Sequence, residues 1–261
     1  MRRWLAETML PRRAARVERR RVRLPDGAAT TLHVAAYASS AHTPRVVRFD
    51  EPVPLVRWCR EHDVAHAVVG GFFLRPGYDP LGELHIGGNR AASVAFTSPW
   101  DTARGCLQID DAGVRIAPRD ELAAAPAGDL LQAGPVLVRD GRRAVATEDP
   151  EGFASGAHQF DSDITDGRYP RAAIAVAGDR LLTVACDGRT RRDAGMTLGE
   201  LADVLVGLGA DEALNLDGGG SASLVHDGRL RNRPREQHGV DLLEGRPVVT
   251  AVVLEPVSDA V

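Results

Sequence analysis

Apolar positions along the chain change their period several times, and each change marks an element. Leu198, Leu201, Leu205 and Leu208 recur at 3-4-3 spacing, which sets four leucines on one face of an α-helix. The start of this helix is also written in the sequence. Thr197 and Glu200 form a T-x-x-E capping box, Met196 and Leu201 occupy the hydrophobic-staple positions, and Gly207 and Gly209 suit its end. A second helix is expected from about Leu55 to His62, ahead of the apolar run Ala65 to Val69. Elsewhere, short apolar runs stop at tight-turn dipeptides: Val136-Leu137-Val138 before Asp140-Gly141, Ile174 to Ala177 before Gly178-Asp179, and Ser223-Leu224-Val225 before Asp227-Gly228. Each predicts a β-hairpin and hence antiparallel sheet.

The 198–208 helix lies between two strand-like runs, Leu181 to Cys186 and Ala213 to Leu216, so 181–216 reads as a βαβ unit. The fold class expected is α/β (mixed α+β): a mixed β-sheet with flanking helices, several β-hairpins and one βαβ unit. Each of the two strands ends in an acid followed by glycine, Asp187-Gly188 and Asp217-Gly218-Gly219-Gly220-Ser221. In parallel strands both acids leave the same carboxyl edge, the usual ligand side of open α/β sheets. Their backbones would be roughly 5 Å apart in neighbouring strands and about 10 Å apart with one strand between. No repeat period is present, and the Ala/Gly/Pro-rich stretch from Asp120 to Asp129 predicts a long surface loop. The organisation expected is a basic arm over 1–23 followed by a single domain over 24–261.

Composition narrows the function. The 261 residues are 44% hydrophobic, as in a globular protein, and all 32 basic residues are Arg. Without lysine, Schiff-base and P-loop chemistry are excluded. A net charge of -4 argues against nucleic acid as a partner, and the nine arginines within the first 23 residues read as a solvated arm. Cys59, Cys106 and Cys186 stand far apart in apolar stretches and read as core. The apolar run Trp4 to Ala6 is cut by Glu7, so neither a signal peptide nor a membrane span is recognised and a cytoplasmic location is expected.

Three consecutive glycines lose entropy on folding, and so call for positive φ angles or a close approach to the backbone. A tight strand connection would satisfy that need. An acid, three glycines, Ser221 and Ser223 instead suggest a functional loop whose successive N–H groups form an anion-binding nest.

Ala213-Leu214-Asn215-Leu216-Asp217-Gly218-Gly219-Gly220-Ser221-Ala222-Ser223, with Asp187-Gly188-Arg189 and Gly195-Met196-Thr197 upstream, resembles the phosphodiester glycosidase family. Further segments agree in order: Gly70-Gly71-Phe72-Phe73, Gln132-Ala133-Gly134-Pro135, Tyr169-Pro170-Arg171-Ala172-Ala173-Ile174, Asn232-Arg233-Pro234 and Arg246-Pro247-Val248. The resemblance spans about residues 50 to 255. It departs from the family at Val69, where Asn is usual, at Ala172 in place of Thr and at Ala175 in place of Gly.

The resemblance implies hydrolysis of a sugar-1-phosphodiester at its glycosidic bond, on a small-molecule or glycan substrate. Asp187 and Asp217 are then the candidate nucleophile and acid/base, in either order. Arg171 and Arg189 are candidates for the phosphate, because guanidinium binds its oxygens bidentately. Asn215, Gly218, Gly219, Gly220 and Ser221 would line the site, Gly70 and Gly71 would let substrate approach the backbone, and Phe72 or Phe73 would offer a sugar platform. No cofactor is required, although Ca2+ or Mg2+ near Asp187, Asn215 and Asp217 is a candidate. His62 and His66, at i and i+4, are split by the helix end, which argues against zinc there. His158, Asp161 and Asp163 read as a solvated polar loop. Ser221 lacks the G-x-S-x-G elbow of a serine hydrolase. A non-catalytic carbohydrate- or phosphoglycan-binding module is the alternative, separable by Asp217→Asn, which a binder tolerates.

Overall fold

The computed structural model describes residues 15–145 and 167–257; His158, Asp161 and Asp163 lie outside them. The strands in chain order are β1 Arg16–Arg23, β2 Ala29–Ala38, β3 His42–Pro54, β4 Ala67–Val69, β5 Phe73–Leu74, β6 Asp79–Pro80, β7 Leu84–Ile86, β8 Asn89–Arg90, β9 Gly105–Asp110 and β10 Gly113–Pro118. After these come β11 Asp129–Gln132, β12 Val136–Arg139, β13 Arg142–Arg143, β14 Arg171–Ala177, β15 Arg180–Cys186, β16 Glu212–Asn215, β17 Leu224–His226, β18 Arg229–Leu230 and β19 Pro247–Pro256. The α-helices are α1 Leu55–Glu61, α2 Trp100–Ala103 and α3 Leu198–Gly207. None is long and apolar enough to cross a membrane.

The large sheet runs β1-β2-β15-β14-β16-β12-β13, and two five-stranded sheets run β10-β9-β11-β7-β8 and β18-β17-β4-β19-β3. Every strand pair in them is antiparallel, which corrects the expected mixed sheet, and strand far outweighs helix. The βαβ unit survives in altered form. β15 and β16 run parallel, but β14 pairs antiparallel with both and lies between them. Two strand spacings therefore separate the ends that carry Asp187 and Asp217, about 10 Å at the backbone.

Alternation along β14 explains its position. Ala172 and Ile174 face one core with Val68, Val69, Leu224, Ala251 and Val252, while Ala173 and Ala175 face the core under α3. A strand covered on both faces carries small apolar residues throughout. The family departures Val69, Ala172 and Ala175 are all completely buried in these cores.

α3 begins and ends as its sequence dictates. Thr197 Oγ1 accepts from Glu200 N–H at 3.2 Å, and Glu200 Oε2 accepts from Thr197 N–H at 3.0 Å. At the other end Gly209, at φ 84, donates to Val206 O while Ala210 donates to Leu205 O, a Schellman cap. Leu198, Leu201 and Leu205 are buried against the sheet, worth roughly 2 kcal/mol each. The three hairpins form as expected, with Asp140 and Gly141 at φ 50 and 68 and Asp227 and Gly228 at φ 51 and 64, the pattern of type I′ turns. All three cysteines are buried and unpaired. The described part of the expected basic arm, Arg16–Arg23, is edge strand β1, paired with β2 along its length.

Candidate active site

The strand ends bring one acid into an unusual environment. Asp217 follows β16, and its backbone N–H donates to Gly70 O at 3.0 Å. Gly70 N–H in turn donates to Thr250 O at 2.9 Å, and Gly71 N–H to Thr250 Oγ1 at 3.1 Å. A Cβ on Gly70 would lie 2.5 Å from Thr250 Oγ1, so glycine is required by the crowding that anchors Asp217. The Asp217 carboxylate is 6% exposed and accepts from Gly218 N–H at 2.8 Å. Burial pushes its pKa from 3.8 up to about 6. The Ser221 hydroxyl, near but outside hydrogen-bond geometry, the Arg246 charge and the Gly218 N–H offset this only in part.

The glycines serve packing more than anion binding. Gly219 sits at φ 58 and donates to Pro170 O at 2.8 Å, and Ser221 N–H donates to Gly218 O at 3.0 Å. Three N–H groups of the expected nest are therefore already satisfied within the protein, which corrects that expectation. A Cβ on Gly218 would lie 2.9 Å from Pro170 O, and one on Gly220 would lie 3.0 Å from Glu236 Oε1. The bare backbone at Gly220 is what admits the Glu236 carboxylate.

Glu236 is a second acid beside the glycine turn, and sequence reasoning passed over it. Arg246 holds it bidentately, Nε donating to Oε1 at 2.7 Å and a terminal nitrogen to Oε2. Arg246 N–H also donates to Gly220 O at 3.0 Å, which ties this pair to the glycine turn. Arg189 approaches Glu236 Oε2 at 4.0 Å. The Arg246 hydrogen bonds, with the charges of Arg246, Arg189 and Arg75, hold the Glu236 carboxyl below its ordinary range despite partial burial. Arg246 and Arg75 also act on Asp217. One acid is thus raised and one lowered under shared arginines, the pattern that separates acid from base. Glu236 sits in the polar run Arg233 to His238 with no periodicity; the only hints in the sequence were the preceding Asn232-Arg233-Pro234 and the room left by Gly220.

Asp187 follows β15 at the same sheet edge, where Gly188 and Gly218 both crowd Pro170. It is 3% exposed, with Oδ2 3.4 Å from His33 Nε2 and Oδ1 accepting from Arg233 N–H at 2.7 Å. Asn232 clamps the same segment, Nδ2 donating to Ala222 O and Oδ1 accepting from Leu224 N–H. Arg235 closes it by donating to Gly188 O and Asp241 Oδ1. Asp187 therefore pins the segment that carries Glu236. Neither Asp187 nor Asp217 belongs to a grouping of three His, Cys, Asp or Glu ligand atoms among the described residues.

Of the arginines, Arg171 is 2% exposed, shares the helix-side face with Cys186, and donates from Nε to Met196 O at 3.2 Å. Its guanidinium lies 5.5 Å from the Tyr169 ring centre, and that of Arg189 lies 5.7 Å from the same ring. Arg189 is held at φ 63, a left-handed conformation that costs about 1–2 kcal/mol, and donates to Arg235 O at 2.9 Å. Asn215, 1% exposed, packs on Gly134, whose Cβ would fall 2.6 Å from Asn215 Nδ2. Phe72 is 2% exposed, edge-on to Phe96 and beneath Arg104, so its ring has no face for a sugar. Phe73, half-buried, stacks on Tyr78 at 5.2 Å.

A phosphodiester glycosidase family model matches residues 62–255, which include Asp187, Asp217, Glu236 and Arg246. The chain belongs to the phosphodiester glycosidase family. Solved structures share the fold. The zebrafish N-acetylglucosamine-1-phosphodiester alpha-N-acetylglucosaminidase catalytic domain, auto-inhibited by its pro-peptide, aligns with TM-score 0.68 at 16% identity, over 95% of this chain and 85% of that one. A hypothetical protein from Synechocystis aligns with TM-score 0.63 at 19% identity, over 90% of this chain and 61% of that one. A putative exported protein from Burkholderia pseudomallei aligns with TM-score 0.60 at 16% identity, over 90% and 75%. No curated protein matches the chain.

Proposed function

We propose that this phosphodiester glycosidase family member hydrolyses the glycosidic bond of a sugar-1-phosphodiester, releasing free sugar and a phosphomonoester. The observation that carries this reading is the pair of acids with opposed environments, Asp217 raised to about 6 and Glu236 lowered, both in the field of Arg246 and Arg75, with Arg189 beside Glu236. Asp217 acts as the acid/base group. Glu236 is the ionised carboxylate facing the oxocarbenium-like centre. Arg189, with Arg171 behind Tyr169, takes the phosphate, whose negative charge the leaving group must carry away. Asp187 works through the 232–236 segment as a positioning residue. A phosphomonoester leaves readily, so acid assistance from Asp217 contributes less to the first step than its basic form contributes to activating water.

The test is mass-spectrometric product analysis over a panel of sugar-1-phosphodiesters and nucleotide sugars, with wild type, Asp217→Asn, Glu236→Gln and an EDTA-treated sample. Free sugar plus phosphomonoester from wild type, with loss in both variants, supports the reading. A metal requirement would appear in the EDTA sample. Saturable binding without turnover anywhere in the panel would replace it with a phosphoglycan-binding module.

A further inference from the structure

Away from the Asp217 edge, the start of β4 and the end of β17 bring imidazoles together. His66 precedes β4 and His226 ends β17, and the pairing of Val225 with Ala67 sets them opposite each other. Their ring centres are 4.5 Å apart. Four residues of extended chain, about 13 Å, separate His66 from Gly70, so this cluster stands apart from the glycosidase site.

Tyr37, His42, His66 and His226 pack ring against ring, and the polar edge of that cluster carries the donor set of a metal centre, with His66 Nδ1 accepting from Asp227 N–H at 3.4 Å and Asp227 Oδ2 accepting from Arg231 at 3.4 Å. A ligand atom from each of His66, His226 and Asp227 lies within 4.8 Å of the others. His226 Nε2 is 3.5 Å from Asp227 Oδ2, close to the edge of about 3.4 Å expected for a tetrahedron with metal–ligand distances near 2.1 Å. The other ring nitrogen of His226, Nδ1, is 3.3 Å from Tyr37 Oη, the outer hydrogen bond that fixes the tautomer of a ligating histidine. His66 and His226 are 7% and 2% exposed, while the Asp227 side chain is 68% exposed and offers an entry path. A third imidazole completes the wall. His42, 7% exposed, lies 5.8 Å from His66 between ring centres, and its Nδ1 is buried without a hydrogen bond. Leaving such an atom unsatisfied costs about 1–3 kcal/mol, which a bound ion or its water would relieve.

We infer that His66, His226 and Asp227 form a site for a divalent transition metal, with Zn2+ the best fit and the fourth position open beside His42. Two imidazoles and one carboxylate suit Zn2+, Cu2+ or Ni2+, whereas Ca2+ and Mg2+ take all-oxygen sets. The bound ion ties the β17–β18 hairpin to β4.

Untagged protein, stripped with EDTA and desalted, is titrated with Zn2+ against a chromophoric chelator and with Co2+ by visible absorption. The expected result is one equivalent per chain, the intense absorption of four-coordinate Co2+, and a rise in Tm on adding Zn2+. Asp227→Asn is the main variant. The residue sits at φ 51 in an exposed turn where Asn is favoured, so it folds, and it loses at least tenfold in Zn2+ affinity. His66→Gln, checked by circular dichroism, abolishes the Co2+ band, and exposed His238→Gln leaves it unchanged. Binding below one equivalent, a Co2+ spectrum like that of the hydrated ion, or equal affinity in wild type and Asp227→Asn overturns the site.

Discussion

Asp217→Asn separates stability from activity in a way that follows from burial alone. The folded protein raises the Asp217 pKa from 3.8 to about 6, roughly two units, or about 3 kcal/mol. The sign follows from linkage. Well below its unfolded value of 3.8 the side chain is protonated folded and unfolded, and no penalty arises. As pH rises from about 4 towards 6 the unfolded chain releases a proton that the buried group retains, so stability falls across that window and levels off once the native state also ionises above about 6. Asn is isosteric, still accepts from Gly218 N–H, and never carries the charge. Urea unfolding of wild type and variant at pH 4 and pH 8 should therefore show the gap between them shift by about 2–3 kcal/mol in favour of Asp217→Asn at the higher pH. In the same preparation, turnover should fall by about 10²–10⁴-fold. A gap independent of pH, or a variant less stable at pH 8, would refute the assignment of burial as the dominant influence on this carboxyl.

Three further variants test the surrounding shell. Asp187→Asn retains an acceptor for Arg233 N–H, so kcat should stay within about tenfold of wild type; a loss equal to that of Asp217→Asn would restore Asp187 to the catalytic pair. Arg189→Ala should raise KM for a phosphodiester about 10- to 100-fold with a smaller change in kcat, read by steady-state kinetics. Gly70→Ala places a Cβ 2.8 Å from the Thr250 backbone carbonyl carbon, and a thermal melt should register about 1–3 kcal/mol of destabilisation together with lost activity.

Placing β14 between β15 and β16 is the tertiary fact that organises the site. It sets the Asp187 and Asp217 strand ends at one edge and brings Pro170 against Gly218 and Gly219. Sequence alone put both acids at that edge, because helix and strand direction follow from local pattern. It left their separation open, because hairpin propensity does not say which strand fills a gap. Phe72 illustrates the same limit: an aromatic beside two glycines reads as a platform until Phe96 and Arg104 are found on it.

The capping box at Thr197 and Glu200, the Schellman glycine at 209, the three hairpin turns and the buried cysteines were fixed by the chain itself. Each depends on residues a few positions apart or on plain hydrophobicity. Glu236, Arg75 and the histidine cluster were decided only by the fold. Glu236 meets Arg246 ten residues on, and His226 reaches His66 from 160 residues away. Charge pairing and imidazole clustering at such separations leave no periodic trace, since the energy that joins them arises only after the sheets have packed.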